Sequence, residues 1–444
     1  MKIKQEAAVL DETKKLSAQE VIDLNRKYVF FSWSVQKDVA PIPIETGKGI
    51  YFWDKAGKRY MDFSSQLMNL NIGYQNPKVI AAIQEQAAKL TSAHPGNAHE
   101  PKGTLGNMIA EVAPGNLNKV FYTLGGADAN ENAVKMARLY TGRNKIIARY
   151  RSYHGATYGA ISLSGDYRRP PVEPGIPGVV HVFDPYCYRC PFGHTLQTCH
   201  RECITSIEDV IQYEGPQTIA ALIMEGVTGS NGILVPPDDY WPRLREITKK
   251  YGILLIADEV MSGFGRTGEW FAVNHWGVTP DIITTAKGLT SGYLPLGAVV
   301  VSDEIARFFE DKYLYLGLTY CGHVMSTAAG IATINVYKED HLIENSKALG
   351  KVLARELEAI KGRHPVVGDV RCIGLFSCFE IVTDRQTKQP MPDDRMNVVR
   401  KKLAADGLST FINHNLIFAC PPLCINEAEL HEGLKIIEDA ISIL

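Results

Sequence analysis

The sequence DIITTAKG, residues 281–288, predicts a short buried strand that ends on a lysine. Its β-branched and small residues are typical of a strand that enters a sheet, and a loop rich in glycine and proline follows Gly288. A lysine held at a strand end inside a protein can lose its proton and attack a carbonyl carbon, which gives a Schiff base. Taken alone, Lys287 also fits a solvated lysine at a strand edge, so other stretches of the chain must decide between the two interpretations.

The surrounding sequence predicts further strands of this kind, separated by helices. The strand candidates are residues 119–123, 145–149, 221–224, 253–258, 281–286 and 297–301, and helices are predicted between several of them, for example over 129–141 and 239–251. Such alternation is typical of an α/β fold, in which helices cover both faces of a mostly parallel sheet. Ligands of these sheets bind beyond the carboxyl ends of the strands, where Lys287 is predicted to lie.

The composition excludes several classes of partner. The chain has 444 residues, 45% hydrophobic and 22% charged, which suits one large and one smaller globular domain. A net charge of −2 gives no electrostatic reason to expect nucleic acid or an anionic membrane as a partner. The apolar runs are too short to cross a bilayer, and the N-terminal residues lack the apolar core of a signal peptide. We therefore expect a soluble cytoplasmic protein.

The N-terminal part of the chain predicts a helix, an aromatic segment and a hairpin. A helix is predicted over residues 11–27, capped by Ser17 with Glu20 three residues later. The aromatic segment 28–36 fits either core packing or one wall of a pocket. Residues 47–65 predict a hairpin that turns around 54–57, and Asn76-Pro77 predicts the start of a helix that ends near residue 90.

The C-terminal part predicts a mixed α+β unit. Helices are predicted from about residue 324 and over 344–361 and 394–406, with strands at 375–382 and 415–419. We accordingly divide the chain into an N-terminal segment, 1–65, that forms part of the small domain and the pocket wall, a large cofactor-binding domain, 66–324, and a C-terminal small domain, 325–444.

Four of the nine cysteines cluster in one short stretch, as Cys187-x2-Cys190-x8-Cys199-x3-Cys203. This spacing is compatible with a zinc site, although the inner gap is shorter than in common zinc modules. The alternative is a folded surface loop that carries reduced thiols, as expected in a reducing compartment. Both interpretations stay open, and no metal is assigned to the predicted active site.

Three further stretches supply groups that suit a phosphorylated aromatic aldehyde. After the strand 119–123, the glycine-rich turn around Gly126 and Ala127 leads directly into a helix, whose free N–H groups could bind a phosphate. Asp258 ends a buried apolar strand and therefore needs a cationic or hydrogen-bonding partner, such as a protonated ring nitrogen. Tyr153 follows another strand and could stack on a flat ring or merely pack. With Lys287, these contacts are the ones that pyridoxal phosphate requires.

These motifs resemble those of the class III, or ω-, aminotransferases, which belong to pyridoxal phosphate fold type I. The resemblance runs from GIYFWDKAGKRYMDF (49–63) to PPLCI (421–425), and its most specific blocks are ADEVMSGFGRTGEWF (257–271) and TTAKGLTSGYLPLGA (284–298). It implies a large domain with a mostly parallel sheet, a smaller mixed domain, and pyridoxal 5'-phosphate as cofactor. It also implies a homodimer or a dimer of dimers.

The resemblance also implies a role for each matching residue. Lys287 would form the Schiff base and move protons, and Asp258 would keep the pyridine nitrogen protonated. Val260 and Tyr153 would contact the two faces of the ring. The other implied cofactor contacts are the phosphate-binding backbone of Gly126 and Ala127, Glu225 near the cofactor, Met261 beside Val260, and Thr319 reaching the phosphate from the neighbouring subunit.

The departures from the family pattern concern the substrate. Where relatives that act on γ-aminobutyrate or ornithine carry charged residues, this chain has Phe418, Ser230 and Ala156, and Phe411 stands where amine–pyruvate relatives have a mobile arginine. The pattern resembles the taurine aminotransferases most closely, which implies a short ω-amine with an acidic head group. The predicted substrate residues are Trp33, Tyr153, Arg168, Phe411 and Phe418, with Arg169 and Lys102 as further candidates for binding the acid.

Several alternatives share the same cofactor residues. The acceptor is predicted to be 2-oxoglutarate rather than pyruvate, on resemblance alone. The donor could also be β-alanine or another ω-amine used with pyruvate. A relative that catalyses elimination or decarboxylation would carry the same cofactor motifs. A non-catalytic binding protein on this fold is disfavoured, because the lysine and its partners are intact.

Overall fold

The computed structural model describes residues 15–444 of the chain. Its helices are α1 (Ala18–Tyr28), α2 (Ser65–Met68), α3 (Pro77–Lys89), α4 (Glu100–Val112), α5 (Gly126–Thr141), α6 (Tyr158–Leu163), α7 (Glu202–Glu214), α8 (Tyr240–Tyr251), α9 (Asp303–Phe308), α10 (Val324–Glu339), α11 (Leu342–Arg363), α12 (Asp393–Ala405) and α13 (Glu427–Ile441). Its strands are β1 (Ile44–Lys48), β2 (Tyr51–Asp54), β3 (Arg59–Asp62), β4 (Leu117–Thr123), β5 (Lys145–Arg149), β6 (Val179–Val182), β7 (Ile219–Glu225), β8 (Leu254–Asp258), β9 (Ile282–Thr285), β10 (Gly297–Ser302), β11 (Val367–Ile373), β12 (Phe376–Asp384), β13 (Gln389–Pro390), β14 (Leu408–Ser409), β15 (Ile412–Asn413) and β16 (Leu416–Ala419).

A seven-stranded, mostly parallel sheet forms the centre of the molecule, in the order β4-β10-β9-β8-β7-β5-β6. Strand β10 runs antiparallel to both of its neighbours, and the remaining pairs are parallel. Strands β7, β8 and β9 are buried along their whole length, which explains their continuous apolar sequences. The predicted α/β fold and its central strands are confirmed.

The register of this sheet brings three strand ends together. Glu225 at the end of β7 pairs with Asp258 at the end of β8, and Asp258 pairs in turn with Thr284 of β9. Lys287 follows β9 by two residues, so it lies at the same edge of the sheet. The carboxyl ends of the central strands therefore collect the chemically active side chains predicted from the sequence.

Two smaller sheets flank the central one. One has the order β1-β2-β3-β14 and the other the order β11-β12-β16-β15, with β13 paired to β12. Because β14 pairs with β3, a C-terminal segment joins the hairpin near the N-terminus. Asp54 closes the predicted hairpin turn, since its Oδ1 accepts hydrogen bonds from the amides of Ala56 and Lys58. The proposed division into domains remains a prediction.

The ends of several elements differ from the prediction. The capping box of Ser17 and Glu20 is present, but α1 begins directly after Ser17, because the capping serine itself has extended backbone geometry. Residues 11–14 of that predicted helix lie outside the described residues. Strands β6 and β11 and helix α13 were not predicted. The start of α13 has a recognisable signal, because Asn426 and Glu429 form a second capping box.

Buried Arg266 connects distant parts of the chain through its hydrogen bonds. Its guanidinium donates hydrogen bonds to the carbonyl oxygens of Leu375 and Pro421, at 3.1 and 2.6 Å, and to the side chains of Ser65 and Asn71, at 3.0 and 2.8 Å. Burial lowers the pKa of this guanidinium.

No helix within residues 15–444 combines the length and apolar character needed to cross a membrane.

Candidate active site

A cavity of about 670 Å³ lies at the carboxyl ends of the central strands. The predicted residues that line it are Trp33, Gly126, Ala127, Tyr153, Arg168, Glu225, Asp258, Val260, Met261, Lys287 and Phe411. Ala156 and Ser230, two of the positions that depart from the family pattern, line it as well. The structure therefore brings these predicted residues together around one cavity, and their roles stay predictions.

Lys287 occupies a strained backbone position at the floor of the cavity. Its φ angle is +34°, in the left-handed region that residues with a side chain rarely adopt. Such strain persists only where the surrounding structure holds it, and it is concentrated at functional sites. Burial lowers the pKa of the Lys287 amine, although the Asp258 and Glu225 carboxylates oppose this effect. The lowered pKa increases the share of free amine, which is the nucleophilic form.

Asp258 is held by three hydrogen-bond donors. Its Oδ2 accepts from Nδ2 of Asn130 at 2.8 Å and from Nδ1 of His154 at 2.7 Å, and its Oδ1 accepts from the amide of Val260 at 3.0 Å. Asn130 is fixed in turn, because its Oδ1 accepts from the hydroxyl of Thr284 at 2.6 Å. Donors therefore fix the orientation of both carboxylate oxygens at the end of β8.

The histidine beside Asp258 is oriented by that carboxylate. A carboxylate oxygen can only accept a hydrogen bond, so Nδ1 of His154 is the donor in this contact. Nε2, the other ring nitrogen, is buried and has no hydrogen-bond partner among residues 15–444. The sequence alone gave no role to His154.

The glycine-rich turn before α5 forms a bare backbone cradle. Gly125 caps this 16-residue helix without a side-chain hydrogen bond, so the N–H groups of the first turn remain for an anion. Side chains would not fit here. A Cβ on Gly126 would lie 2.6 Å from Cγ1 of Val260, and a Cβ on Gly155 would lie 2.4 Å from Cβ of Ala127. The cradle, the buried carboxylate and the lysine together fit pyridoxal phosphate.

Glu225 connects the cofactor end of the cavity to two loops. Its Oε1 accepts a hydrogen bond from the amide of Tyr153 at 3.0 Å, and its Oε2 accepts from the amide of Gly229 at 2.7 Å. Burial raises the pKa of Glu225, while the neighbouring His154 opposes this effect. The carboxylate of Glu225 thus links the loop after β5 to the loop that carries Ser230.

The opposite end of the cavity contains an arginine stacked on an aromatic ring. The guanidinium carbon of Arg168 lies 3.7 Å from the ring centre of Tyr153, and its Nη2 donates to Oγ of Ser230 at 2.8 Å. Trp33 meets the Tyr153 ring edge-on, with 6.5 Å between the ring centres. Sequence reasoning proposed all three residues, but the ion pair between Arg168 and Asp166 went unnoticed.

Four candidate residues lie away from the cavity wall. Phe418 is fully buried behind Phe411, with 4.9 Å between the ring centres. Thr319 is exposed in the single chain. The two remaining cations are engaged elsewhere: Arg169 pairs with Glu173, and Nζ of Lys102 donates to the carbonyl oxygen of Pro95 at 2.6 Å.

The cysteine cluster carries free thiols. Burial, together with the neighbouring Cys199, Cys187 and Cys190, raises the pKa of the Cys203 thiol to about 12. Within residues 15–444, no group of three or more histidine, cysteine, aspartate or glutamate side chains is arranged to hold a metal ion. The zinc interpretation therefore rests on sequence spacing alone.

Comparison with known proteins places the site in context. The family model described as "Aminotransferase class-III" matches residues 32–441. The structure of a taurine:2-oxoglutarate aminotransferase from Bifidobacterium kashiwanohense, in complex with PLP and glutamate, is similar with a TM-score of 0.94 and 42% identity, over 97% of this chain and 98% of that chain. A leucine/methionine racemase from Thermococcus litoralis is 38% identical over 91% of each chain, and a taurine–pyruvate aminotransferase from Bilophila wadsworthia is 33% identical over 95% of this chain and 97% of its own.

Proposed function

This chain belongs to the class III aminotransferases, which depend on pyridoxal phosphate, and we propose that its donor is a short ω-amine with an acidic head group. Taurine is the first candidate. The proposed acceptor is a 2-oxo acid, 2-oxoglutarate before pyruvate. The observation that carries the proposal is Arg168, which lines the cavity among uncharged residues such as Ser230, Ala156 and Phe411. Similarity to two taurine aminotransferases supports it.

The proposed roles of the cofactor residues follow from their surroundings. Pyridoxal phosphate supplies an electron sink that stabilises negative charge on the carbon next to the amine. The amides of Gly126 and Ala127 would bind its phosphate. Asp258 would hold a proton on the ring nitrogen. Lys287 would bind the aldehyde carbon and then move a proton at Nζ, since its lowered pKa keeps the free amine available.

The proposed role of Arg168 follows from the charges of the cavity. Among the described lining residues, the lysine and arginine side chains are those of Lys287 and Arg168, and Lys287 is required for the proposed chemistry. An acidic group in a largely apolar cavity needs a cationic or hydrogen-bonding partner. Arg168 would bind the sulfonate or carboxylate of each substrate in turn, with Tyr153 and Trp33 forming the adjacent wall.

The test is to measure turnover with taurine, β-alanine, γ-aminobutyrate and ornithine against both 2-oxoglutarate and pyruvate. We expect taurine to be the best donor. Arg168→Ala should raise KM for taurine by roughly 10- to 100-fold, because one charge-assisted hydrogen bond contributes about 1.5–3 kcal/mol. Arg169→Ala is the matched control, since that arginine pairs with Glu173, and it should change KM little.

Three outcomes would contradict parts of the proposal. If γ-aminobutyrate or ornithine is the best donor, the loss of charged residues at Ser230, Ala156 and Phe418 does not define the substrate. If β-alanine with pyruvate is preferred, the alternative ω-amine:pyruvate activity applies. If a donor is consumed without formation of an amino acid from the acceptor, the enzyme catalyses elimination, decarboxylation or, like its racemase relative, another reaction.

We also propose that the active form is a homodimer or a dimer of dimers. Thr319 lies in an exposed segment that also presents Tyr313, Tyr315 and Tyr320 to the surface. A second copy would cover these rings, and Thr319 would reach the phosphate in the neighbouring cavity. Sedimentation should show a dimer or larger, and a fully active monomer would contradict this. The cytoplasmic location stays a prediction.

A further inference from the structure

We propose that Asp166 is a positioning residue, which holds Arg168 so that a single guanidinium nitrogen is left for the acidic group of the substrate. This inference rests on the proposed function, because it concerns the same acid-binding end of the cavity. Asp166 itself does not line the cavity wall; it lies behind Arg168, in the loop that follows α6, and it is almost fully buried.

Several hydrogen bonds hold the two residues together. Oδ1 of Asp166 accepts from the Arg168 amide at 3.0 Å and from Nε at 3.1 Å. Oδ2 accepts from Nε, also at 3.1 Å, and from Nη2. Asn231 fixes the carboxylate from the other side, because its Nδ2 donates to Oδ2 at 3.1 Å. The arginine side chain therefore has one supported orientation.

The other contacts of Arg168 complete this support. The face of the guanidinium lies on the ring of Tyr153, and Nη2 also donates to Ser230. Nε and Nη2 are thus occupied, whereas Nη1 has no hydrogen-bond partner within residues 15–444. Although burial alone would lower the pKa of Arg168, the hydrogen bonds and charge of Asp166 outweigh it and raise this pKa.

This arrangement has a consequence for recognition. One nitrogen can donate to an oxygen of a carboxylate or of a sulfonate, and it does not require the two parallel oxygens of a bidentate pair. The charge of the arginine is also balanced by Asp166 before any substrate binds. The pair can therefore bind either a planar carboxylate or a tetrahedral sulfonate. Removal of Asp166 or of Arg168 leaves the charge of the other residue uncompensated beside the cavity.

Two variants in combination test the inference. With holoenzyme, Asp166→Asn should raise KM for taurine by about tenfold and leave kcat within about twofold, because the arginine loses its orientation. In the Arg168→Ala background the same substitution should have the opposite effect and lower KM for taurine. There the bare Asp166 carboxylate repels the acidic group, so the double variant should bind taurine about tenfold better than Arg168→Ala alone.

Matched controls separate positioning from a general structural role. Propylamine has no acidic group, so its KM should not change in any of these variants. Glu173→Gln removes the carboxylate beside the neighbouring Arg169 and should leave KM for taurine unchanged. Asp166→Glu keeps the charge and should give a KM between those of the wild type and Asp166→Asn. Thermal unfolding and the absorbance of the bound cofactor check that each variant is folded and loaded.

The outcomes are distinguishable. A wild-type enzyme that prefers propylamine to every acidic amine contradicts the proposed function, and the role of Asp166 falls with it. A wild-type enzyme that uses taurine, with KM unchanged in Asp166→Asn, contradicts the role of Asp166 alone. The same holds if Asp166→Asn weakens taurine binding further in the Arg168→Ala background. If Asp166→Asn does not fold, KM for taurine in Asp166→Glu is compared with the wild-type value. A raised KM supports the role of Asp166, and an unchanged KM contradicts it.

Discussion

The two ends of the cavity are built in different ways. At the cofactor end, Asp258 and Glu225 stand on adjacent buried strands whose register fixes their spacing. At the end proposed to bind the acidic group, Trp33, Arg168 and Phe411 come from three separate segments of the chain and line the cavity together only in the folded molecule. The first end is determined by sheet geometry, whereas the second depends on contacts between side chains, such as those of Arg168 and Trp33 with the ring of Tyr153. Substitutions should therefore affect the two ends in different kinetic parameters.

The largest effect is expected from the lysine of the cofactor end. Lys287→Ala removes the amine that we propose as both nucleophile and proton carrier, so kcat should fall by about 10³-fold or more. The visible absorbance of the lysine-bound cofactor should disappear as well. Lys347→Ala, which removes an exposed lysine paired with Glu269, is the control and should keep both signals. Turnover close to the wild type in Lys287→Ala would mean that another group performs the chemistry.

The next effect concerns Asp258, the carboxylate proposed to hold a proton on the ring nitrogen. Asp258→Asn keeps the size of the side chain but removes its charge, so we expect kcat to fall by roughly 10- to 100-fold, as one charge-assisted contact implies. KM for taurine should change much less, because the acid-binding end is untouched. Equal changes in KM and kcat would show that a substitution at the cofactor end also disturbs substrate binding at the other end.

A smaller effect is expected at the backbone cradle. Gly155 has a φ angle of +134°, and a Cβ there would lie 2.6 Å from the backbone Cα of Ala127. Gly155→Ala should therefore displace the cradle and weaken cofactor retention by about tenfold, a penalty typical of a strained backbone position. The control is Gly103→Ala, where a Cβ would meet nothing within 4 Å. Unchanged retention, measured by dialysis and absorbance, would show that the cradle can move.

The smallest effect is expected at the wall of the acid-binding end. The side chain of Trp33 is 60% exposed and contacts Tyr153 only by its edge. An aromatic pair of this kind contributes about 0.5–1.5 kcal/mol, so Trp33→Ala should raise KM for taurine by about two- to tenfold. Cofactor absorbance and kcat should stay unchanged. A loss of bound cofactor in this variant would show that Trp33 also supports cofactor binding, so that the two ends of the cavity do not act independently.

The difference between the ends also explains how much the sequence could predict. Lys287, Asp258 and Gly126 stand at strand ends or helix starts, where local pattern and position in the chain carry the information. Asn130 was missed, although it lies one helical turn after Gly126 and therefore faces the same sheet edge. Asp166 gave no such signal, because only the fold shows that its carboxylate faces Arg168.

The elements missed in the fold have similar causes. Strand β6 has only four residues and is partly exposed at the edge of the sheet, so it lacks the apolar run of the central strands. Most residues of β11 are also only partly buried. Phe418 was predicted at the substrate because it replaces a charged residue, but its strand, β16, directs this side chain into the core instead.

The hydrogen bonds of Glu225 bear on how enzymes of this kind acquire new donors. Its carboxylate holds the loops at Tyr153 and Gly229 by their main-chain amides, which every residue except proline provides. Evolution can therefore exchange the side chains of these loops, one after another, while the loops keep their anchor beside the cofactor. The preferred donor can change in this way without an intermediate ancestor that has lost catalytic activity.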